Sequence, residues 1–103
     1  MDLQLNGKKV LVTGSSKGIG AAIAKKFALE GAIVIVHGRD RAQADDVVHA
    51  IVKQGGRAHR VLGDLTDDAA VGRLVEEAWK QAGAIDILVN NAGGSGAVKQ
   101  DWA

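Results

Sequence analysis

Cysteine, proline and tyrosine are all missing from this 103-residue chain, and phenylalanine and tryptophan together contribute only three residues. Without cysteine there is no disulfide and no thiol chemistry, an absence that is neutral about compartment. Without tyrosine no phenol is available as a general acid. No apolar run approaches the ~18 residues that a membrane span needs. The opening residues, Met1 to Gly7, lack the apolar stretch of a signal peptide. Neither sign of charge is in excess: 13 basic residues interleave with 12 acidic ones, for a net charge of +1. Nothing in that balance argues for a nucleic-acid or membrane surface. A soluble, cytoplasmic protein is the default expectation. What is present is ordinary globular composition, 47% apolar and 24% charged. The length allows one small domain of modest stability.

The chain repeats one unit: a short apolar run, a turn, a helical period, a glycine. The runs are residues 8–13, 32–36, 58–62 and 85–89. They are short and β-branched, and the first two are apolar throughout, as strands covered on both faces are. Between them Ala44, Val47, Val48, Ile51 and Val52 keep helical spacing, as do Val71, Leu74, Val75, Ala78, Trp79 and Ala82. In the first helix Ile19, Ile23 and Phe27 recur at every fourth residue. Asp40 and Thr66 are candidate N-caps, and Gly31, Gly55 and Gly83 stand where the helices should stop. Such alternation predicts right-handed βαβ crossovers, hence an α/β fold with a Rossmann-like open parallel sheet of four strands and three helices.

Between the first strand and the first helix lies Thr13-Gly14-Ser15-Ser16-Lys17-Gly18-Ile19-Gly20. In that context Gly14 permits a tight turn, and Gly18 lets the backbone approach a pyrophosphate. Gly20 lets the helix pack close to the sheet. The opening amides and the positive dipole end of that helix then face the phosphates. The spacing is G-x-x-x-G-x-G, which differs from the common G-x-G-x-x-G fingerprint. Two other readings remain open at this point. The glycines can serve the turn alone. Alternatively, Gly14-Ser15-Ser16-Lys17-Gly18 satisfies the G-x-S-x-G nucleophile elbow, with Ser16 as nucleophile and His37, His49 and His59 downstream. Against that second reading, Glu30, on the first helix, is the only acid between Ser16 and His37.

An acid that holds a ribose is expected at the end of the second strand, about 20 residues past the glycines. The sequence there is Val36-His37-Gly38-Arg39-Asp40. Asp40 falls late and suits a helix cap, so Gly38 and Arg39 take the strand-end positions. A guanidinium in place of a carboxylate fits a 2′-phosphate, through paired charge-assisted hydrogen bonds. Lys17 adds a second cation. These features favour NADP over NAD, although both cations could simply be solvated.

At this point the residues resemble a known family. Thr13-Gly14-Ser15-Ser16-Lys17-Gly18-Ile19-Gly20 resembles the TGxxxGxG motif of short-chain dehydrogenases/reductases, and the chain is similar to the cofactor-binding half of members such as 3-oxoacyl-ACP reductases. Asp64-Leu65 resembles the family's adenine-contacting pair, and Asn90-Asn91-Ala92-Gly93 its NNAG motif. The resemblance implies that Ser16, Lys17, Gly18, Ile19 and Gly20 line the phosphates and that Arg39 selects NADP. It implies that Asp64 bonds the adenine amino group with Leu65 against the ring, and that Asn90, Ala92 and Gly93 border the nicotinamide ribose. Asn90 could equally tie strand ends together through its amide, and Asp64 could be a plain turn residue. The family's catalytic serine, tyrosine and lysine lie beyond the NNAG segment. No catalytic residue and no metal ligand is therefore expected in this chain, which alone is expected to be inactive.

The expected division is a dinucleotide-binding domain over residues 1–93 and a connector over 94–103 leading to an absent C-terminal half. The implied activity of the whole is hydride transfer between NADP(H) and a small carbonyl or alcohol. The alternative is a dinucleotide-binding module without turnover. Residues 85–89 would form an exposed apolar edge, so a homo-oligomer is expected.

Overall fold

The computed structural model describes residues 4–65 and 68–91, with Asp68 described by its backbone alone. Thr66, the candidate cap of the third helix, lies outside the described residues, as do Ala92, Gly93 and the expected connector. The elements run β1 (Lys9–Val12), α1 (Gly18–Leu29), β2 (Ile33–Gly38), α2 (Arg41–Lys53), β3 (Arg57–Leu62), α3 (Asp68–Ala82) and β4 (Ile87–Val89). All strand pairs are parallel, in the order β3-β2-β1-β4. This is the Rossmann-like sheet that strand–helix alternation predicts.

The strand ends differ from the apolar runs for local reasons. β2 continues past Val36 through His37 and Gly38, because β3 supplies partners at Val61 and Leu62. β4 starts two residues after Ile85, because Asp86 is spent on a clamp. Its backbone N–H donates to the Lys9 carbonyl, and its Oδ2 accepts from the Lys9 N–H at 2.8 Å.

Side-chain alternation along the strands divides the core into two layers. Val10, Val12, Val34 and Val36 pack with Ala21 and Ala24 of α1 and with Ala44, Val47 and Ile51 of α2. Leu11, Ile35 and Val61 face the other way, onto Leu74 and Ala78 of α3. Burying both faces of one short sheet explains why β1 and β2 read as continuous apolar runs. Across the first layer, Asp45 of α2 and Arg60 of β3 pair at 2.6 Å at the layer's margin.

Two helical stripes behave differently from their periodicity. On α1 the core side is Gly20, Ala21 and Ala24, while Ile19 is 74% exposed. Small residues there let the helix start lie close on the strand ends. On α3, Leu74 and Ala78 are buried, but Val71, Val75 and Trp79 are exposed, Trp79 by 56%. The described sheet ends at β4, which leaves that half of the stripe with no strand beneath it. The expected helix stops hold: Gly31, Gly55 and Gly83 all adopt positive φ. Asp40 caps α2, its Oδ1 accepting from the Gln43 N–H at 3.1 Å.

Candidate functional site

Parallel strands bring all four carboxyl ends to one edge of the sheet, where open α/β sheets bind ligands. Four segments meet there: the turn from Thr13 to Lys17, the β2 end at Gly38-Arg39, Gly63 to Leu65 after β3, and Asn90-Asn91 after β4. They enclose a cleft of about 480 Å³ lined by Gly14, Ser16, Lys17, His37, Gly38, Arg39, Gly63, Asp64, Leu65 and Asn90. Seven residues singled out from the sequence thus share one cavity. Gly18, Ile19 and Gly20 stand beside it as the first turn of α1. Ala92 and Gly93 lie outside the described residues.

The turn is built so that the helix opens toward the cleft. Gly14 takes φ +63° and Gly18 φ +62°, backbone conformations that an L side chain resists. A Cβ on Gly20 would drive into the Gly14 carbonyl oxygen and come within 2.6 Å of Asn91 Nδ2. A Cβ on Gly38 would collide with Ser16 Oγ. The glycines are therefore what allow helix, turn and strand end to touch. At the helix start Lys17 is extended, its side chain makes no capping hydrogen bond, and the first turn has no acid. The opening amides of an α-helix have no partner within the helix. Here they combine with the dipole to make an electropositive, uncapped end that suits an anion.

Arg39 and Asp64 emerge from adjacent strands, with Nη1 and Oδ2 at 4.0 Å. Their side chains are 74% and 54% exposed, so the pair is weak and easily re-aimed. Asn90 does tie strand ends together: the Thr13 hydroxyl lies 3.2 Å from its Oδ1.

Sequence reasoning missed the part that three residues play in holding this turn. Asn91 donates from Nδ2 to the Gly14 carbonyl at 3.1 Å, and its N–H donates to Thr13 Oγ1 at 3.0 Å. Ser15, fully buried, donates to the Val12 carbonyl and accepts from the His37 N–H. His37 is 3% exposed, its Nδ1 accepting from the Gly14 N–H at 2.8 Å and its Nε2 lying 2.8 Å from the Gly63 carbonyl. Burial pushes this imidazole below the ordinary histidine range; the Gly63 carbonyl opposes the change and the charge of Arg39 adds to it. The available signal was a polar residue inside a buried strand, which must find hydrogen-bond partners. With both ring nitrogens engaged by backbone, His37 does not serve Ser16 as a base, and neither His49 on α2 nor His59 on β3 lines the cleft that holds Ser16, which counts against the nucleophile-elbow reading.

A family model for short chain dehydrogenases matches residues 8–102. The chain belongs to the short chain dehydrogenase family. An uncharacterized oxidoreductase of Methylorubrum extorquens is 50% identical over 91 residues, covering 87% of this chain and 37% of that protein. A 3-oxoacyl-[acyl-carrier-protein] reductase of Aquifex aeolicus is 44% identical, covering 90% of this chain and 38% of its own length. A crystal structure of a 3-oxoacyl (acyl-carrier-protein) reductase from Agrobacterium tumefaciens with NADP bound superposes with a TM-score of 0.81. It is 46% identical and covers 87% of this chain and 34% of that one. This short chain dehydrogenase sequence therefore spans little more than a third of the length of the relatives it matches.

Proposed function

We propose that this chain is the dinucleotide-binding portion of an NADP(H)-dependent oxidoreductase acting on a small ketone or 3-oxoacyl thioester, or on the corresponding alcohol. The observation that carries the proposal is the convergence of an uncapped helix start and Arg39 on one cleft. The NADP found with the Agrobacterium relative supports the choice of cofactor.

In this reading the N–H groups of Gly18, Ile19 and Gly20 and the Ser16 hydroxyl hold the pyrophosphate, with Lys17 balancing its charge. Arg39 turns from Asp64 to the 2′-phosphate, exchanging a weak exposed pair for a charge-assisted one. Asp64 would accept from the adenine amino group, and Leu65 would cover the ring. Asn90, with Ala92 and Gly93, borders the nicotinamide ribose. The cofactor supplies the hydride; the chain supplies binding and orientation.

The 103 residues include no tyrosine, so we expect the chain alone to bind cofactor without turning over substrate. Residues 1–93 would form the binding domain and the remainder would lead toward a catalytic portion. β4 lies at the edge of the described sheet with Leu88 41% exposed, which favours pairing with a second copy or with that portion.

Calorimetric titration with NADP⁺ and NAD⁺ tests the proposal. Saturable binding with NADP⁺ the tighter ligand is expected, and heat of neither ligand despite a folded spectrum would overturn it. A ketone panel with NADPH separates an active enzyme from a binding module.

A further inference from the structure

Three hydrogen bonds shorter than 3 Å join His37 to the phosphate turn. Its carbonyl accepts from the Ser15 N–H at 2.7 Å, its N–H donates to Ser15 Oγ at 2.9 Å, and its Nδ1 accepts from the Gly14 N–H at 2.8 Å. The last link fixes the tautomer. A ring nitrogen that accepts from an amide carries no proton, so the proton of the neutral ring sits on Nε2, which then donates to the Gly63 carbonyl at 2.8 Å. One neutral imidazole thereby ties the turn after β1 to the segment after β3 through the end of β2.

We propose that His37 is a positioning residue of the dinucleotide site, whose neutral ring holds the phosphate turn in its binding shape, so that protonating the ring expels the cofactor. This rests on the dinucleotide reading above. Imidazolium is a donor at both nitrogens, and Nδ1–H would point at the Gly14 N–H 2.8 Å away. Either the ring turns aside or the turn does. Gly14 cannot move alone, because its carbonyl accepts from Asn91 Nδ2 and lies against Gly20 at the helix start. Displacing Gly14 therefore displaces the amides that face the phosphates.

Among the described residues, the charged groups sharing the cleft with His37 are Lys17 from the turn, Arg39 from its own strand end and Asp64 from the segment after β3. Lys17 and Arg39 disfavour imidazolium; Asp64 favours it. A bound polyanion would also favour it through space. The backbone geometry and the Coulomb attraction thus predict opposite signs, which makes the inference testable by sign.

The experiment is calorimetric titration of the chain and of His37→Asn with NADP⁺ from pH 8 to pH 5. Asparagine Oδ1 can take the place of Nδ1 as acceptor and does not titrate. The 2′-phosphate itself titrates near pH ~6, but it cancels in the ratio of the two dissociation constants. The expected result is a ratio, native over variant, that climbs by up to about tenfold per pH unit below the His37 midpoint. A flat ratio, or native binding that tightens on acidification relative to the variant, would overturn the inference and leave the dinucleotide reading intact. Absence of NADP⁺ binding even at pH 8 would overturn both.

A measurement without any variant gives the same sign. Nitrogen NMR of the native ring should show Nε2–H at neutral pH, and saturation with NADP⁺ should lower the His37 titration midpoint. A midpoint raised by the cofactor would refute the proposal.

Discussion

Gly20 and Gly72 offer the same substitution with opposite expected signs. Both lie in helices at ordinary φ, so alanine is conformationally acceptable at each. In α3 a Cβ on Gly72 meets nothing within 4 Å, and alanine should stabilise by about 0.5–1 kcal/mol through helix propensity alone. At Gly20 the same Cβ overlaps the Gly14 carbonyl, a backbone atom already engaged by Asn91. Overpacking of this kind costs roughly 1–3 kcal/mol, and the backbone partner argues for the upper part of that range. Subtracting a propensity gain of up to about 1 kcal/mol leaves Gly20→Ala destabilised by about 1–2 kcal/mol. For a domain of this size each kcal/mol moves the melting temperature by about 4–8 °C. Thermal denaturation followed by circular dichroism should therefore show Gly20→Ala melting roughly 5–15 °C below the parent and Gly72→Ala a few degrees above it. Only the first should also lose NADP⁺ affinity, because only there do the helix amides move. If Gly20→Ala melted at or above the parent, the tight seating of α1 on the turn would be wrong.

Further outcomes follow from the same geometry. Arg39→Ala should weaken NADP⁺ binding roughly tenfold to a hundredfold while changing NAD⁺ by less than about twofold; equal losses for both would remove Arg39 from the 2′-phosphate. The His37 imidazole titrates below its ordinary 6.5 because burial disfavours its charge. Between the two values the unfolded chain binds a proton that the folded chain does not. This contribution to stability is complete above pH ~6.5 and is lost as pH falls toward the folded value. Urea midpoints measured from pH 8 to pH 5 should decline on that side, and less so in His37→Asn. Leu88→Lys places a charge on the exposed edge strand and should shift sedimentation toward monomer; unchanged association would mean that β4 is not the pairing edge.

The fold was legible because each strand is a short β-branched run and each helix ends at a glycine, patterns fixed by backbone sterics and burial. Element ends were less so. β2 extends to Gly38 because β3 offers partners, and Asp86 leaves β4 to clamp Lys9; both are tertiary facts. Periodicity overstated the packing of Val71, Val75 and Trp79, since it reports an apolar stripe without reporting whether anything lies opposite. At the site, Gly14, Ser16, Lys17, Arg39, Asp64, Leu65 and Asn90 were readable from their positions at strand ends, and they line one cleft. The roles of Ser15, His37 and Asn91 were not legible because most of their hydrogen bonds reach partners 22 to 78 residues away, which local spacing does not reveal.

Amide NMR of the chain during NADP⁺ titration locates the ligand residue by residue. Saturable shifts are expected, concentrated at the amides of Lys17, Gly18, Ile19 and Gly20 and at Arg39, with β4 and α3 little affected. Saturable binding that instead perturbs a different face, leaving the start of α1 unmoved, would contradict the proposed site.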